Sequence, residues 1–410
     1  MGCLFLDSKR KFEWHSGMLI PGMQLQVPFF RDLATVRNPQ SPFTFLNYLK
    51  SKNRLDQFIN LRNFYPTRIE YHDYLSWVCE KLTHVTRFGC KVKLITPIWD
   101  KKGKTIEKLE IVYEDERDES VGSYIAENVV ISLGGEPYFP ACAKGFEDNN
   151  RVIHTASLLE KIPKHFTNLS ENYHFIVVGS GQSAGEATYY LLNQYPNAKV
   201  SLCFRNYSLH AIDNSPFVNQ KYHQSSVADF YHLSSLSKAK ALQDLKASNY
   251  SVMDLDLLNE LFKVQYDDSL QQKERLNICA GLSLEGIIST DSYAQVDAKD
   301  LYNETTTSIR GDAIILATGY KQDNYKEILS GLDEHLIKDS AGEYLASKNY
   351  QIQKHPSMQA SIYLQGYCEH SHGPSDSTLA IMSTRAELIL EAILNDSSSF
   401  MKRKEYFNEA

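Results

Sequence analysis

A chain of 410 residues is longer than one ordinary hydrophobic core supports, and it predicts two domains or one domain interrupted by another. Hydrophobic residues at 42%, charged residues at 23% and a formal net charge of -7 are typical of a soluble globular protein and exclude the basic footprint of nucleic-acid binding. No apolar run approaches the roughly 18 residues of a membrane span. Seven scattered cysteines without a CxxC motif favour reduced thiols in a cytoplasmic protein and disfavour a dithiol reductase.

The first elements in the chain are a short strand and a long irregular segment. Residues Cys3–Asp7 predict a strand that ends in an acid, as in a dinucleotide-binding unit whose carboxylate receives the adenosine ribose; an ordinary turn aspartate is the alternative. Residues 12–44, rich in glycine, proline and aromatic side chains, predict an ordered functional loop. Helical spacing follows over residues 43–85. Three predicted strands come next, at 91–95, 109–113 and 128–132.

The segment Phe175–Glu186, which reads FIVVGSGQSAGE, carries the most specific pattern in the chain. Its four leading apolar residues predict a buried strand, and the glycines after them predict a tight turn into a helix over 184–195. Gly179 permits the turn, Gly181 lets the backbone approach a pyrophosphate, and Ala184 lets the helix pack closely on the strand. We therefore predict a dinucleotide site at the amino end of this helix.

The next predicted strand, Val200–Phe204, ends at Arg205. An acidic residue at this place suits NAD, whereas a basic residue suits the extra 2′-phosphate of NADP; a solvated surface arginine is the alternative. Further along, an apolar strand within Asp312–Tyr320 opens on Thr318 and Gly319. Alone, these features would equally suit a plain dehydrogenase.

Seven further segments, together with the central turn, resemble one family of flavoproteins. They are Phe12–Met18, Leu25–Ala34, Ser41–Tyr48, Asp213–Asn219, Asn249–Val252, Ala317–Tyr320 and His372–Asp376. The chain resembles a two-dinucleotide-binding-domain flavoprotein of the α/β class, with a Rossmann-like NADPH domain inserted in a Rossmann-like FAD domain. More closely, it resembles the L-ornithine and L-lysine N-monooxygenases of siderophore biosynthesis.

This resemblance implies the domain organisation and the cofactors. Residues 1–165 and 311–410 would form the FAD domain, the second part carrying a substrate-closing loop and a C-terminal helix, and residues 166–310 would form the NADPH-binding domain. With NADPH and O₂, a flavin hydroperoxide would transfer oxygen to an unprotonated primary amine, so no catalytic side chain is expected. The family usually assembles as a homotetramer.

The same resemblance assigns residues to the ligands. Arg31 falls where a basic residue holds the substrate carboxylate, and Asn219 and Asn249 match substrate-side amides, with turn or cap roles as the alternative. Gln26 matches a position beside the flavin ring. The other cofactor positions are Asp7, Trp14, His15, Gly179, Gly181, Gln182, Ser183, Arg205, Thr318, Gly319, Ser375 and Leu379.

Histidines near the carboxyl end do not predict a metal or hydrolytic site. His370 and His372 lack a third ligand close by, so we expect no metal. His372, Ser375 and Asp376 share one loop, from which a hydrolytic triad rarely assembles, and no nucleophile elbow is present. We interpret His154 as a structural residue between the two domains.

Family members open with a strand and a glycine turn that bind the FAD pyrophosphate, whereas this sequence starts at the position just after them. About 25 to 30 residues are therefore expected ahead of residue 1. A polypeptide that begins at Met1 is expected to bind FAD much more weakly, because the helix end that meets the pyrophosphate would be absent.

We expect NADPH- and FAD-dependent N-hydroxylation of the terminal amine of L-ornithine or L-lysine. One alternative is N-hydroxylation of an amine without a carboxylate, such as putrescine, cadaverine or histamine. The other is a non-catalytic NADP-binding protein.

Overall fold

A computed structural model describes the backbone of residues 2–408 and the side chains of residues 2–395. The strands, numbered in chain order, are β1 Phe5–Asp7, β2 Thr86–Phe88, β3 Cys90–Trp99, β4 Ile106–Asp115, β5 Val121–Ala126, β6 Asn128–Ile131, β7 Glu136–Pro137, β8 Val152–His154, β9 His174–Val178, β10 Lys199–Phe204, β11 Leu276–Ala280, β12 Leu282–Ser289, β13 Ala294–Asp300, β14 Thr306–Gly311, β15 Ala313–Leu316, β16 Tyr320–Lys321 and β17 Ser361–Leu364. The α-helices are α1 Phe45–Ser51, α2 Leu55–Leu61, α3 Arg68–Lys81, α4 Leu158–His165, α5 Gln182–Gln194, α6 Pro216–Asn219, α7 Gln224–Tyr231, α8 Ser235–Asp244, α9 Leu255–Leu270, α10 Tyr325–Ile328, α11 Glu369–His372 and α12 Met382–Asn408.

A five-stranded parallel sheet forms the centre of the predicted nucleotide region. Its strand order is β11-β10-β9-β15-β8. Helices α4, α5 and α9 bury one face of the sheet through apolar residues such as Leu191 and Leu261. The antiparallel strands β12–β14 bury the other face through Val296 and its neighbours. The predicted unit of strand, turn, helix and strand is confirmed as β9, α5 and β10.

Strands β8 and β15 lie outside the predicted bounds 166 and 310, yet they pair with each other and β15 pairs with β9. The parallel sheet therefore extends from residue 152 to residue 316 of the chain. The division into domains stays a prediction. The sheet that it concerns includes one strand on either side of the predicted bounds.

The rest of the strands form smaller sheets on the predicted FAD side. Strands β3, β4 and β5 make an antiparallel meander, β1 pairs with β2, and β17 pairs with β6. The first predicted strand is confirmed, although it begins at Phe5 and not at Cys3. Strands β3 and β4 each extend well beyond the predicted segments 91–95 and 109–113.

Helices α1, α2 and α3 enclose an aromatic cluster that the sequence predicted only as helical spacing. Phe45 is fully buried, and its ring contacts five others, with centroid separations of 5.3 to 6.2 Å. Thr67 caps the amino end of α3, where its side chain accepts a hydrogen bond from the backbone N–H of Glu70 at 3.2 Å. This helix start fixes the position of Arg68, which reaches toward the nucleotide region.

Candidate active site

The central glycine turn has the geometry that a dinucleotide needs. Gly179 adopts a φ of +146°, and its N–H donates to the carbonyl oxygen of Cys203 at 2.9 Å. A Cβ at this position would lie 2.5 Å from the carbonyl oxygen of Ala317, so only glycine fits. Gly181 caps α5 without a side-chain hydrogen bond, and the nearest atom to a Cβ there is 3.9 Å away. The amino end of α5, with Gln182 and Ser183, is therefore an open cradle for an anion.

Arg205 follows β10 and is exposed beside this cradle. Among the described residues, no ion pair or hydrogen bond engages its guanidinium. The adjacent Tyr207 packs edge-on against Tyr302, with ring centroids 5.1 Å apart. A free cation at the end of the second strand is the arrangement that a 2′-phosphate requires.

A chain of hydrogen bonds joins the glycine-turn helix to the segments predicted to hold the flavin. Gln26 Nε2 donates to Asp254 Oδ1 at 3.1 Å, and the Asp254 N–H donates to Gln182 Oε1 at 2.8 Å. Gln182 Nε2 donates to Glu186 Oε1 at 2.9 Å, and Arg68 Nη1 donates to Glu186 Oε2 at 2.6 Å. Gln26 and Gln182, assigned to different cofactors, thus share one polar network.

Glu186 is the most buried charge in this network. Its side chain is 0% exposed, against 16% for Arg68. Burial raises the pKa of Glu186, and the attraction of Arg68 opposes that shift. One feature of the sequence indicated that Glu186 is unusual: it is a charged residue among the small residues that face inward on α5. Arg68 carried no such signal, because its partner is 118 positions away.

Arg31 is a half-buried cation at the end of a single 3-10 turn, Phe29–Arg31. Its Nη1 donates to the carbonyl oxygen of Ala380 at 3.0 Å. Burial lowers its pKa, and no described carboxylate forms an ion pair with it. An unpaired cation in a half-buried position is costly unless a ligand supplies the anion.

The two predicted substrate amides lie on neighbouring segments. Asn219 ends α6 and donates to the carbonyl oxygen of Asn214 at 2.8 Å, while Asn249 follows the short turn Lys246–Ser248. Both are exposed. The hydroxyls of Tyr222 and Ser248 share a hydrogen bond at 2.8 Å, which ties these two segments together.

The positive charge of Arg31 acts on the same region. His223, one residue after Tyr222, has its pKa lowered by burial and then by Arg31. The three predicted substrate residues therefore lie along one set of contacting segments, although their roles stay predictions.

Glu369 is a functional candidate that the sequence did not reveal. The Tyr250 hydroxyl donates to Glu369 Oε2, and the Ser377 hydroxyl donates to the same oxygen at 3.2 Å. Burial raises the pKa of Glu369. In the same loop the Ser375 hydroxyl is buried without a hydrogen-bond partner among the described residues. A buried hydroxyl without a partner can donate to a ligand group, and it lies in the loop predicted to close over the site.

A second group of predicted cofactor residues surrounds Tyr320. His15 lies edge-on to both Trp14 and Tyr320, with centroids 5.0 and 6.2 Å away. Surrounding protein atoms, then the charges of Arg68 and Lys9, lower the pKa of His15 to about 4. The imidazole is therefore neutral at physiological pH.

Hydrogen bonds of Thr318 and Gly319 join the segment after β15 to the segment between β7 and β8. The Thr318 hydroxyl donates to the carbonyl oxygen of Tyr138, and the Tyr138 N–H donates to the carbonyl oxygen of Gly319 at 2.9 Å. His154 Nε2 bonds the same Gly319 oxygen at 3.0 Å. Burial lowers the pKa of His154 to about 4, so the neutral ring donates here. His154 thus has the structural position that the sequence predicted.

Asp7 stands apart from the other candidates. It ends β1, and its carboxylate accepts a hydrogen bond from the Lys9 N–H at 2.9 Å. The strand that places it is confirmed, whereas its contact with a ribose stays a prediction.

His372 and Asp376 of the carboxyl-terminal loop are engaged in structural contacts, whereas His370 Nε2 is buried without a partner among the described residues. His372 bonds Ser371 Oγ at 2.9 Å through Nδ1, and Asp376 forms a buried ion pair with Arg385 at 3.0 Å. Among the side chains of residues 2–395, no group of three His, Cys, Asp or Glu residues has metal-binding geometry. In the part of the chain that the structure describes, no helix is long and apolar enough to cross a membrane.

Comparison with known proteins decides the family. The L-lysine 6-monooxygenase/L-ornithine 5-monooxygenase family matches residues 1–322. The chain belongs to this family. It is 34% identical to the L-ornithine N(5)-oxygenase of Arthrobotrys oligospora over 406 residues, which cover 97% of this chain and 83% of that protein.

Solved structures of lysine/ornithine monooxygenase relatives confirm the predicted two-dinucleotide-domain flavoprotein fold. The ornithine hydroxylase from Pseudomonas aeruginosa aligns with a TM-score of 0.89 at 30% identity, covering 96% of this chain and 92% of that one. The Kutzneria ornithine N-hydroxylase aligns with a TM-score of 0.90 at the same identity and coverage. The chain is accordingly a flavin-dependent N-monooxygenase, an oxidoreductase of siderophore biosynthesis.

Proposed function

We propose that this monooxygenase hydroxylates the terminal amine of L-ornithine and uses FAD, NADPH and O₂. The observation that carries the substrate assignment is Arg31, a half-buried guanidinium without an acidic partner among the described residues. The α-carboxylate of an amino acid supplies the missing anion in a two-pronged geometry. The Kutzneria relative, whose structure is described with reduced FAD, NADP⁺ and L-ornithine, supports the same set of ligands.

The glycine turn and Arg205 support NADPH as the reductant. The open amino end of α5 fits a pyrophosphate, and the exposed guanidinium fits a 2′-phosphate. Residues 166–310, with the adjoining strands β8 and β15, would form the domain that holds it.

The opposite side of the polar network would hold FAD. Gln26, His15 and Trp14 would line the flavin, Thr318 and Gly319 would lie beside it, and the orphaned hydroxyl of Ser375 fits a group that accepts its hydrogen bond. The bound dinucleotides supply the redox chemistry.

The amine end of the substrate would lie near Asn219 and Asn249. Their amide oxygens can accept from the amine and their N–H groups can donate to the carboxylate. No described side chain is required as a nucleophile. Asn219 and Asn249 would orient the amine, and the loop around Ser375 and Leu379 would exclude water.

The deciding experiment compares NADPH oxidation with hydroxylamine formation for L-ornithine, L-lysine, putrescine, cadaverine and histamine, in the presence of excess FAD. Coupled hydroxylation is expected with L-ornithine, and uncoupled oxidation with the decarboxylated amines. Equal coupling with putrescine would remove the carboxylate argument, and a preference for L-lysine would move the assignment to the longer side chain. NADP⁺ binding without any oxidation would favour the non-catalytic alternative.

Substitution of Arg31 by glutamine is expected to lower kcat/KM for L-ornithine by about 10- to 100-fold, since a charge-assisted hydrogen bond is worth roughly 1.5–3 kcal/mol. The low activity toward putrescine should stay unchanged, because that amine has no carboxylate. Steady-state kinetics on both amines provide the measurement. A parallel loss for both would show that Arg31 supports the fold of the site and not the carboxylate.

Substitution of Arg205 by alanine is expected to raise the KM for NADPH by about 10- to 100-fold and to leave the KM for NADH nearly unchanged. Only NADPH carries the phosphate that Arg205 would meet. The exposed Lys101, in the turn between β3 and β4, gives a control, since Lys101→Ala removes a surface cation outside the parallel sheet. Equal effects of Arg205→Ala on both dinucleotides would contradict the assignment.

A further inference from the structure

Two cysteines face each other across the strands β10 and β11. Cys203 and Cys279 are direct partners in the register of this parallel pair, so both side chains leave the same face of the sheet. Neighbouring strands lie about 4.8 Å apart, which is within the roughly 4.4–6.8 Å between Cα atoms that a disulfide spans. Cys203 lies within one apolar cluster between this sheet and β12–β14, and Cys279 packs against the same cluster. No other cysteines are strand partners among the described residues.

The two sulfurs differ in their burial and in their hydrogen-bond partners. Asn277 Nδ2 donates to Cys279 Sγ at 3.3 Å, whereas Cys203 Sγ donates to the carbonyl oxygen of Ser201 at 3.9 Å. The neighbouring Cys203 thiol, and then Ser201 and the charge of Lys199, lower the pKa of Cys279 to about 7, although burial opposes the shift. Cys279 is half-buried, whereas Cys203 is buried and exposed by only 3%. An oxidant would therefore reach Cys279 first, and Cys203 is placed to react with the product.

The backbone of Cys203 also contacts the glycine turn of the proposed NADPH site. The carbonyl oxygen of Cys203 accepts the hydrogen bond from Gly179 at 2.9 Å. Arg205 follows two positions later on the same strand end. A covalent link would require the two side chains to adopt the disulfide dihedral angles, and the resulting adjustment of β10 would reach the glycine turn and the guanidinium.

We propose that Cys203 and Cys279 form a reversible disulfide when the protein meets hydrogen peroxide, and that this cross-link weakens dinucleotide binding. The Cys279 thiol releases its proton, the thiolate attacks a peroxide oxygen and the O–O bond breaks. A sulfenic acid forms, and the leaving hydroxide takes up the released proton to give one water. The sulfur of Cys203 then attacks the sulfenic sulfur, its proton leaves with the departing hydroxide as a second water, and the S–S bond forms. The two thiols lose two electrons, which reduce one peroxide to two waters. The effect on binding rests on the proposed function, whereas the cross-link does not.

Peptide mass analysis tests the cross-link. The full chain is treated with hydrogen peroxide, free thiols are alkylated, and the protein is digested without reduction. A Cys203–Cys279 peptide that lacks two hydrogens is expected, and dithiothreitol should remove it. It should be absent from Cys279→Ser and retained in Cys142→Ser, whose cysteine is equally half-buried. Alkylated Cys203 and Cys279, or a sulfinic acid at Cys279 without the linked peptide, would overturn the proposal.

Titration with NADP⁺ tests the coupling. Oxidised wild-type protein is expected to bind NADP⁺ about ten-fold more weakly than reduced protein, a usual size for coupling between sites, and dithiothreitol should restore binding. Oxidation of Cys279→Ser should leave its affinity unchanged. Equal affinity of the linked and reduced forms would overturn the coupling. Reduced protein that does not bind NADP⁺ would overturn the proposed function and the coupling together, while the peptide masses still decide the cross-link.

Discussion

Replacing Arg68 by methionine is expected to lower the free energy of unfolding by about 3–5 kcal/mol, the usual cost of leaving one partner of a buried ion pair alone. Glu186 is 0% exposed, and its other hydrogen-bond partner, Gln182, is neutral. Methionine preserves most of the side-chain volume, so the loss reports the missing charge. Denaturant unfolding of both proteins measures the difference.

The size of this loss is expected to depend on pH. Burial raises the pKa of Glu186, so the folded protein retains the proton above the ordinary carboxyl value of 4.5. Such a group contributes its full stability below the unfolded pKa, and that contribution is lost as pH rises through the folded pKa. Without Arg68 the folded pKa rises further. The deficit of Arg68→Met should therefore be small at about pH 5 and large at about pH 8.

An exposed arginine provides the control for this experiment. Arg37 pairs with Glu387 at 3.0 Å, but the two side chains are 40% and 38% exposed. Arg37→Met should change stability by at most about 0.5 kcal/mol at either pH. If Arg68→Met behaves like Arg37→Met, the buried pair does not stabilise the fold.

Replacing Gly179 by alanine is expected to cost at least about 2 kcal/mol of stability and to abolish NADP⁺ binding, because the new Cβ meets backbone atoms in a conformation that side chains rarely adopt. The obstacle is the Ala317 carbonyl oxygen at 2.5 Å, which cannot rotate away. Thermal unfolding and NADP⁺ titration measure the two effects.

Gly181 offers a matched comparison two residues later. Its φ of -91° suits any residue, and a Cβ there would meet nothing closer than 3.9 Å. Gly181→Ala should fold like the wild type, yet it should bind NADP⁺ at least about ten-fold more weakly, since a methyl group would keep the pyrophosphate from the backbone. Normal NADP⁺ affinity in Gly181→Ala would place the phosphates elsewhere.

Local patterns explain what the sequence could predict. The turn at Gly179 and the strands on either side of it depend on neighbouring residues, so apolar runs and glycine spacing were sufficient. Strands β12–β14 were missed because β13, Ala294–Asp300, alternates buried positions with Asp297 and Lys299. The charged residues interrupt the apolar pattern by which a strand is recognised in a sequence, although one face of the strand is buried.

The polar contacts of the candidate site could not be predicted from neighbouring residues. Arg68 and Glu186 are 118 positions apart, and Tyr250 and Glu369 are 119 apart. Nothing local marks either pair, because their meeting depends on how the whole chain folds. Family resemblance supplied Gln26 and Arg31, but it did not supply the partners that surround them.

The connections between the two sheets constrain how they can move. Strands β8 and β15 pair side by side, β7 pairs with β16, and the carbonyl oxygen of Gly319, after β15, accepts hydrogen bonds from Tyr138 and His154 of the earlier connection. The two chain crossings are therefore held together as one hydrogen-bonded unit. Separating them would break the bonds that share the Gly319 carbonyl oxygen, so a change in either connection would be felt by the other.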